Sequence, residues 1–182
     1  MKCILPLFLA LTGILISSCK NNSAKKGTES SKQEATAVAN NAENLITFKV
    51  NNTLVTSSGW NISRSAMNDM TVLNITSNMH QEQRTININI NGDKAGSYKF
   101  LKGGAYNKTG YAYGSYFSNY TTEMMNPYHF EDGEFIIASI DTAKGFLDAE
   151  FSGTVKNEKG ETLNITEGKV TRGKLRPGIT KY

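Results

Sequence analysis

The sequence predicts an all-β domain, an antiparallel β-sandwich or flattened barrel of roughly eight to ten strands. Three observations predict it. Apolar residues beyond position 44 recur with a period of two, turns rich in Asn, Gly and Asp separate the runs, and no window of ten or more residues there carries helical periodicity. In "RTININI", Ile86, Ile88 and Ile90 fall on one face and Asn87, Asn89 and Asn91 on the other. In "GFLDAEFSGTV", Leu147, Ala149, Phe151, Gly153 and Val155 oppose Asp148, Glu150, Ser152 and Thr154. Both read as strands with one solvated face.

The remaining elements follow in order. "NLITFKV" (44–50) and "NTLVTSS" (52–58) are joined at Asn51-Asn52, two residues that tolerate positive φ and suit a tight hairpin. "MTVLNIT" (70–76) precedes "RTININI" (84–90), and Asn91-Gly92-Asp93 forms a turn before "GSYKFL" (96–101). "YAYGSYFSNY" (111–120) is an aromatic strand, and "TTEMMNPY" admits no more than a helical turn ended by Pro127. "HFEDGE" (129–134) reads as a solvated acidic turn ahead of "EFIIASI" (134–140). Asn157-Glu158-Lys159-Gly160 returns the chain from "GFLDAEFSGTV" (145–155) to "ETLNIT" (161–166), and "GKVTRGKL" (168–175) closes the set.

Ahead of the domain lies a secretory leader. Lys2 supplies its positive end and "ILPLFLALTGILI" its apolar stretch, shorter than the ~20 residues a bilayer span needs, and interrupted by Pro6 and Gly13. The leader ends in Ile16-Ser17-Ser18-Cys19, which resembles a bacterial lipobox: a branched apolar residue, two small residues, then the cysteine that is cleaved to and lipidated. Cys3 leaves with the leader, so Cys19 is the sole mature cysteine and no intramolecular disulfide forms. The expected organisation is a signal peptide over 1–18, lipidated Cys19 and a tether over 19–43, the β domain over 44–176 and a basic tail over 177–182. The tether, with Val38 as its one branched aliphatic and no aromatic residue, buries too little apolar surface to offset its ordering entropy. "KNNSAKK" after the cysteine has no acidic run of the kind that often accompanies surface display. Neither Lys20 nor Asn21 is the aspartate that retains some lipoproteins on the inner membrane. The expected address is the outer membrane, lipid-anchored, its periplasmic face favoured over the cell surface.

Ile140, Asp141, Phe151, Ser152, Gly153, Thr154, Ile165, Thr166, Gly168 and Val170 carry a strand-and-turn pattern, "F-S-G-T" followed by "I-T-x-G-x-V". With the lipobox leader and the upstream "GSYKFLKGGAY", this resembles a family of small β-rich bacterial lipoproteins. The resemblance spans about residues 45 to 175 and implies a lipid-anchored β domain. It implies no activity.

Charge narrows the partners. The chain carries 20 basic and 16 acidic side chains, but residues 41–168 hold ten basic and fourteen acidic ones, a local −4. From Lys169 onward Lys169, Arg172, Lys174, Arg176 and Lys181 give a local +5, so the overall basicity is an end effect and predicts no nucleic-acid partner. His80 and His129 are the only histidines and neither adjoins a nucleophile motif. Glu131, Asp132 and Glu134 lack the alternating spacing of a calcium loop. No catalytic residue, metal or cofactor is expected.

Seven of the eight tyrosines fall between Tyr98 and Tyr128. Tyr111 and Tyr113 share one face, Tyr116 and Tyr120 a face offset by one step, with a bulge at Gly114 as the expected change-over. Those four form the candidate ligand-binding platform for a sugar ring or a peptide, against the reading that tyrosines simply favour sheet faces. Asp141-Thr142-Ala143 resembles a bacterial O-glycosylation site, with Thr142 the acceptor. The function expected is a non-enzymatic envelope lipoprotein, held to the membrane by its N-terminal lipid and binding an envelope protein or glycan. The alternatives are an envelope hydrolase with dispersed catalytic residues and a structural subunit of an envelope assembly.

Overall fold

Asn51 and Asn52 sit at φ 46° and 68°, and this two-residue turn closes the hairpin of β1 (Leu45–Val50) and β2 (Thr53–Ser57), as the sequence predicts. The chain continues through β3 (Trp60–Met67), β4 (Met70–Ser77), β5 (Thr85–Asn91), β6 (Gly96–Phe100), β7 (Tyr111–Phe117) and β8 (Tyr128–Asp141). β9 (Phe146–Lys156), β10 (Thr162–Lys174) and the short β11 (Thr180–Lys181) complete it. This is a computed structural model, and it describes residues 43–57, 59–67, 69–77, 84–103, 108–120 and 126–181. The leader, Cys19, the tether, His80, Tyr106, Asn107 and the core of "TTEMMNPY" lie outside the described residues.

All eleven strands hydrogen-bond into one sheet, in the order β11-β3-β4-β5-β7-β6-β8-β9-β10-β1-β2, with β7 also pairing directly to β8. The pairs are antiparallel apart from β11–β3 and β6–β7. The sheet curls strongly into a half-barrel. Phe48 on β1 and Tyr116 on β7, separated in the sheet by β8, β9 and β10, bring their ring centroids within 6.1 Å. Near the far ends of the sheet, Leu175 bridges to Ile62 of β3 and the Arg176 N–H donates to the Ile62 carbonyl at 2.8 Å.

The concave face is the core. Ile46, Phe48, Ile86, Ile88, Ile90, Phe135, Leu147 and Phe151 are all buried. Phe151 sits at its centre, its ring 5.9 Å from Phe135 and 5.9 Å from Phe48. Opposite it in the ladder is Gly168, where a Cβ would come within 2.5 Å of the Phe151 ring. The "F-S-G-T" and "I-T-x-G" pattern is thereby explained by packing: an aromatic covers the glycine across from it.

The structure departs from the sequence reading in several places, first in being one curled sheet of eleven strands among the described residues where a two-sheet sandwich or flattened barrel of eight to ten was expected. β3 was not expected, because Arg64 interrupts the apolar period set by Trp60 and Ile62. "HFEDGE" is not a turn but the first half of β8, where Gly133 at φ 104° lies opposite Gly153 and register shifts between Phe130 and Asp132. The segments 161–166 and 168–175 form essentially one long strand, with register shifts around Glu167 (φ 52°) and Arg172 (φ 44°) absorbing the break. Asn91-Gly92-Asp93 does not make a hairpin between neighbours, since β7 intervenes between β5 and β6. In the basic tail, Thr180 and Lys181 pair in parallel with Ser65 and Ala66.

The β9–β10 turn is fastened to β8 by a carboxylate. The Tyr128 hydroxyl donates to Glu161 Oε2 at 2.9 Å and Asn157 Nδ2 donates to the same oxygen at 2.7 Å. These two donors, Tyr128 first, hold the Glu161 carboxyl below its ordinary value of 4.5. A depressed carboxyl contributes stability that is present above the unfolded-state pKa and lost as pH falls through the folded one. Tyr128→Phe is therefore expected to lower the urea midpoint at pH 7, and the gap to wild type should narrow as pH falls below about 4.5. A gap that is constant with pH would remove this role for Glu161.

Candidate functional site

The β6–β7–β8 region contains a fork. β7 pairs with β6 at Tyr111 and Ala112, then with β8 at Ser115 and Tyr116. β8 leaves β7 to take β6 as its partner from Glu134 to Ile137. Between these registers, around Tyr113 and Gly114, the outer surface opens into a cleft of about 470 Å³. That volume lies within the range of small-ligand sites. Phe100 and Phe130, both buried, stack at 3.8 Å beneath the opening.

Strand alternation supplies the lining. Asn87 and Asn89 project from the solvated face of β5, Tyr113 and Ser115 from β7, and His129 and Glu131 from β8. Across the sheet, Asn87, Ser115 and His129 make one row, and Asn89 and Tyr113 the next. Ser115 Oγ and His129 Nδ1 share a hydrogen bond of 2.9 Å whose donor depends on the imidazole tautomer. Lys102 Nζ lies 2.8 Å from Glu131 Oε2, anchoring the loop after β6 to the wall of the cleft. Asn87 Oδ1 is buried in the cleft lining and has no hydrogen-bond partner among the described residues.

The four tyrosines of the expected platform do not form one surface. Tyr116 is 2% exposed and belongs to the core, against Phe48 and Tyr128. Tyr120 is half-buried, edge-on to Phe117 at 5.3 Å. Tyr111 is half-buried on the outer face, and Tyr113 alone of the four lines the cleft. The expected bulge at Gly114 is absent. The β5–β7 register runs unbroken from Thr85↔Phe117 to Ile90↔Ala112, and Tyr113 and Tyr116 face opposite sides because they are three residues apart.

Other candidates fall out as follows. Thr142 is exposed in the β8–β9 turn, where the Asp141 carboxylate accepts from the Lys144 and Ala143 N–H groups and, mainly through Lys144, stays below its ordinary value. The carboxylates of "HFEDGE" do not converge. Glu131 pairs with Lys102, Asp132 Oδ1 accepts from the Thr154 N–H at 3.0 Å, and Glu134 Oε2 accepts from Ser97 Oγ at 2.7 Å. Cys19 lies outside the described residues. Asn87 and Asn89, taken by sequence reading only as the polar side of a strand, are the site residues it missed; three asparagines alternating with isoleucines in one strand were the available signal. No family model, curated protein sequence or solved structure matches the chain.

Proposed function

We propose that the chain is a lipid-anchored protein of a bacterial cell envelope whose β domain, read as a flattened barrel, binds a glycan without transforming it. The observation that carries this reading is the outer-face cleft that brings Asn87, Asn89, Tyr113 and Ser115 together. Uncharged donors and acceptors beside an aromatic ring match the hydroxyls and the flat apolar face of a sugar. A concave cleft of this size suits a few sugar rings better than a protein partner, which needs roughly 800 Å² on each side. The lipobox at Cys19 and the resemblance to small β-rich lipoproteins support the address, with the periplasmic face of the outer membrane favoured over the cell surface. Membrane attachment is assigned to the N-terminal lipid, and nucleic acid is not a proposed partner.

Oligosaccharide binding by the full chain tests the reading. Asn87→Ala and Tyr113→Ala are each expected to weaken binding about tenfold, the scale of one lost ligand hydrogen bond or one lost stacking contact. Asn87→Ala should leave the melting temperature of the free protein unchanged or higher, since it removes an acceptor that has no partner. Binding that survives both substitutions would overturn the assignment of this cleft. A second reading, a hydrolase, is favoured by the Ser115–His129 hydrogen bond in the same cleft. Covalent labelling of Ser115 by a fluorophosphonate would support it over simple binding.

A further inference from the structure

The cleft is one end of a longer feature. Strand pairing carries its two polar rows onward across β5, β4 and β3. Ser115 and Asn87 continue into Thr76 and Asn61, each opposite the next in the ladder. Tyr113 and Asn89 continue in the same way into Asn74 and Ser63. Every one of these side chains is half-buried, and none carries a charge. On one flank of the rows Ser65, Val72 and Asn91 are buried, and on the other Thr85 and Phe117, which are partners in the ladder. Strand alternation puts these flanking residues on the outer face, opposite core residues such as Ile62, Leu73, Ile86 and Tyr116. Val72 and Phe117 are accordingly buried without joining the core cluster. Part of one wall is chain from the loop before β7: Asn91 Nδ2 donates to the Lys108 carbonyl at 2.9 Å, and the Gly110 N–H donates to the Asn91 carbonyl at 2.9 Å. Polar rows between buried flanks make a trough that runs across the strands. From β3 to β7 it covers three interstrand steps of about 4.8 Å, about 14 Å in all.

We infer that this trough extends the ligand site over β4 and β3, and that its ligand is a linear, uncharged glycan chain lying across the strands. The inference rests on the glycan-binding reading and specifies the length, path and charge of the ligand. Amides and hydroxyls on successive strands offer similar donors and acceptors at each step, which suits a polymer that repeats its own hydroxyls. A single sugar would use only the Tyr113 end. Charge points the same way. Neither row offers a cation to an acidic substituent, and residues 41–168 hold ten basic against fourteen acidic side chains, a field that disfavours a polyanion. Asn74 Nδ2 donates to Ser65 Oγ at 3.0 Å and to the Val72 carbonyl at 3.3 Å, which orders the middle of the trough ahead of any ligand.

The test measures binding to the full chain of cellobiose and cellohexaose, maltose and maltohexaose, and an oligogalacturonate of hexasaccharide length. In at least one neutral series the hexasaccharide is expected to bind about tenfold tighter than its disaccharide. It should lose about that factor in the Asn61→Ala/Thr76→Val double variant, the effect of two lost hydrogen bonds. The disaccharide should keep its affinity in that variant, and the galacturonate should bind more weakly than the neutral hexasaccharide. In the unsubstituted protein, amide NMR shifts at Ser63, Asn74 and Thr76 on adding the hexasaccharide, and not the disaccharide, give the same readout without a variant. A hexasaccharide no tighter than its disaccharide, full affinity in the double variant, or tighter binding of the galacturonate would overturn the inference. The cleft reading would still stand if Asn87→Ala weakened binding. Absence of binding by every sugar would overturn both.

Discussion

Gly133→Ala is expected to destabilise the domain by about 4 kcal/mol, enough to unfold a protein of ordinary stability at moderate urea. Two costs add. Gly133 holds φ 104°, a conformation that strains any L side chain by about 1–3 kcal/mol. A Cβ there would also lie 2.1 Å from the Ser152 carbonyl oxygen and 2.4 Å from Gly153 Cα, so it meets the backbone of β9 and not the end of a side chain that can turn away. Overpacking of that kind costs about a further 1–3 kcal/mol. The glycine pair lets β8 and β9 approach closely at the register shift between Phe130 and Asp132, the same part of β8 that passes from β7 to β6. Gly178, at φ 84° with nothing within 4 Å of a built Cβ, is the control: Gly178→Ala should show the strain without the clash, about 1–2 kcal/mol. Urea melts of both variants at constant m decide the matter, and equal losses would remove the close-approach argument.

Cys19→Ala is expected to abolish fatty-acid incorporation and removal of the leader. A lipoprotein cysteine carries three acyl chains, and at about 0.8 kcal/mol per buried CH₂ such an anchor is effectively permanent where a single chain is marginal. Nothing in the tether that follows replaces it. Residues 20–42 contain no aromatic residue and one branched aliphatic, Val38. Labelled palmitate fed to the native host, followed by fractionation, gives the readout. A variant that still incorporates labelled palmitate would contradict the proposed anchor.

Strand identity was legible wherever one face is solvated. "GFLDAEFSGTV" alternates because β9 buries one side and shows most of the other to water, whereas the polar side of "RTININI" is half-buried at Asn87 and Asn89 and fully buried at Thr85 and Asn91. β3 escaped because Arg64 stands where an apolar residue would keep the period of Trp60 and Ile62, and the polar Ser65 beside it is the residue buried instead. The acidic stretch 129–134 misled for a different reason. Its charges face outward from a strand, paired with Lys102, Ser97 and the Thr154 N–H, and charge density alone does not separate such a strand from a turn. The tyrosine cluster was visible in composition, but which tyrosine is displayed depends on parity along β7, and the register with β5 fixes it only in three dimensions. The cleft itself was not legible. It arises where β8 changes partner from β7 to β6, a non-local event that brings together positions 87, 113, 115 and 129.

The outer-face fork at β6, β7 and β8 is the proposed ligand site. An amide NMR titration of the protein with the oligosaccharide that binds it tests this most directly. Saturable shifts should cluster at Asn87, Asn89, Tyr113, Ser115 and His129, with core positions such as Ile88 and Phe135 moving little. Saturable shifts confined elsewhere, for instance around Phe117 and Tyr120, would contradict the claim.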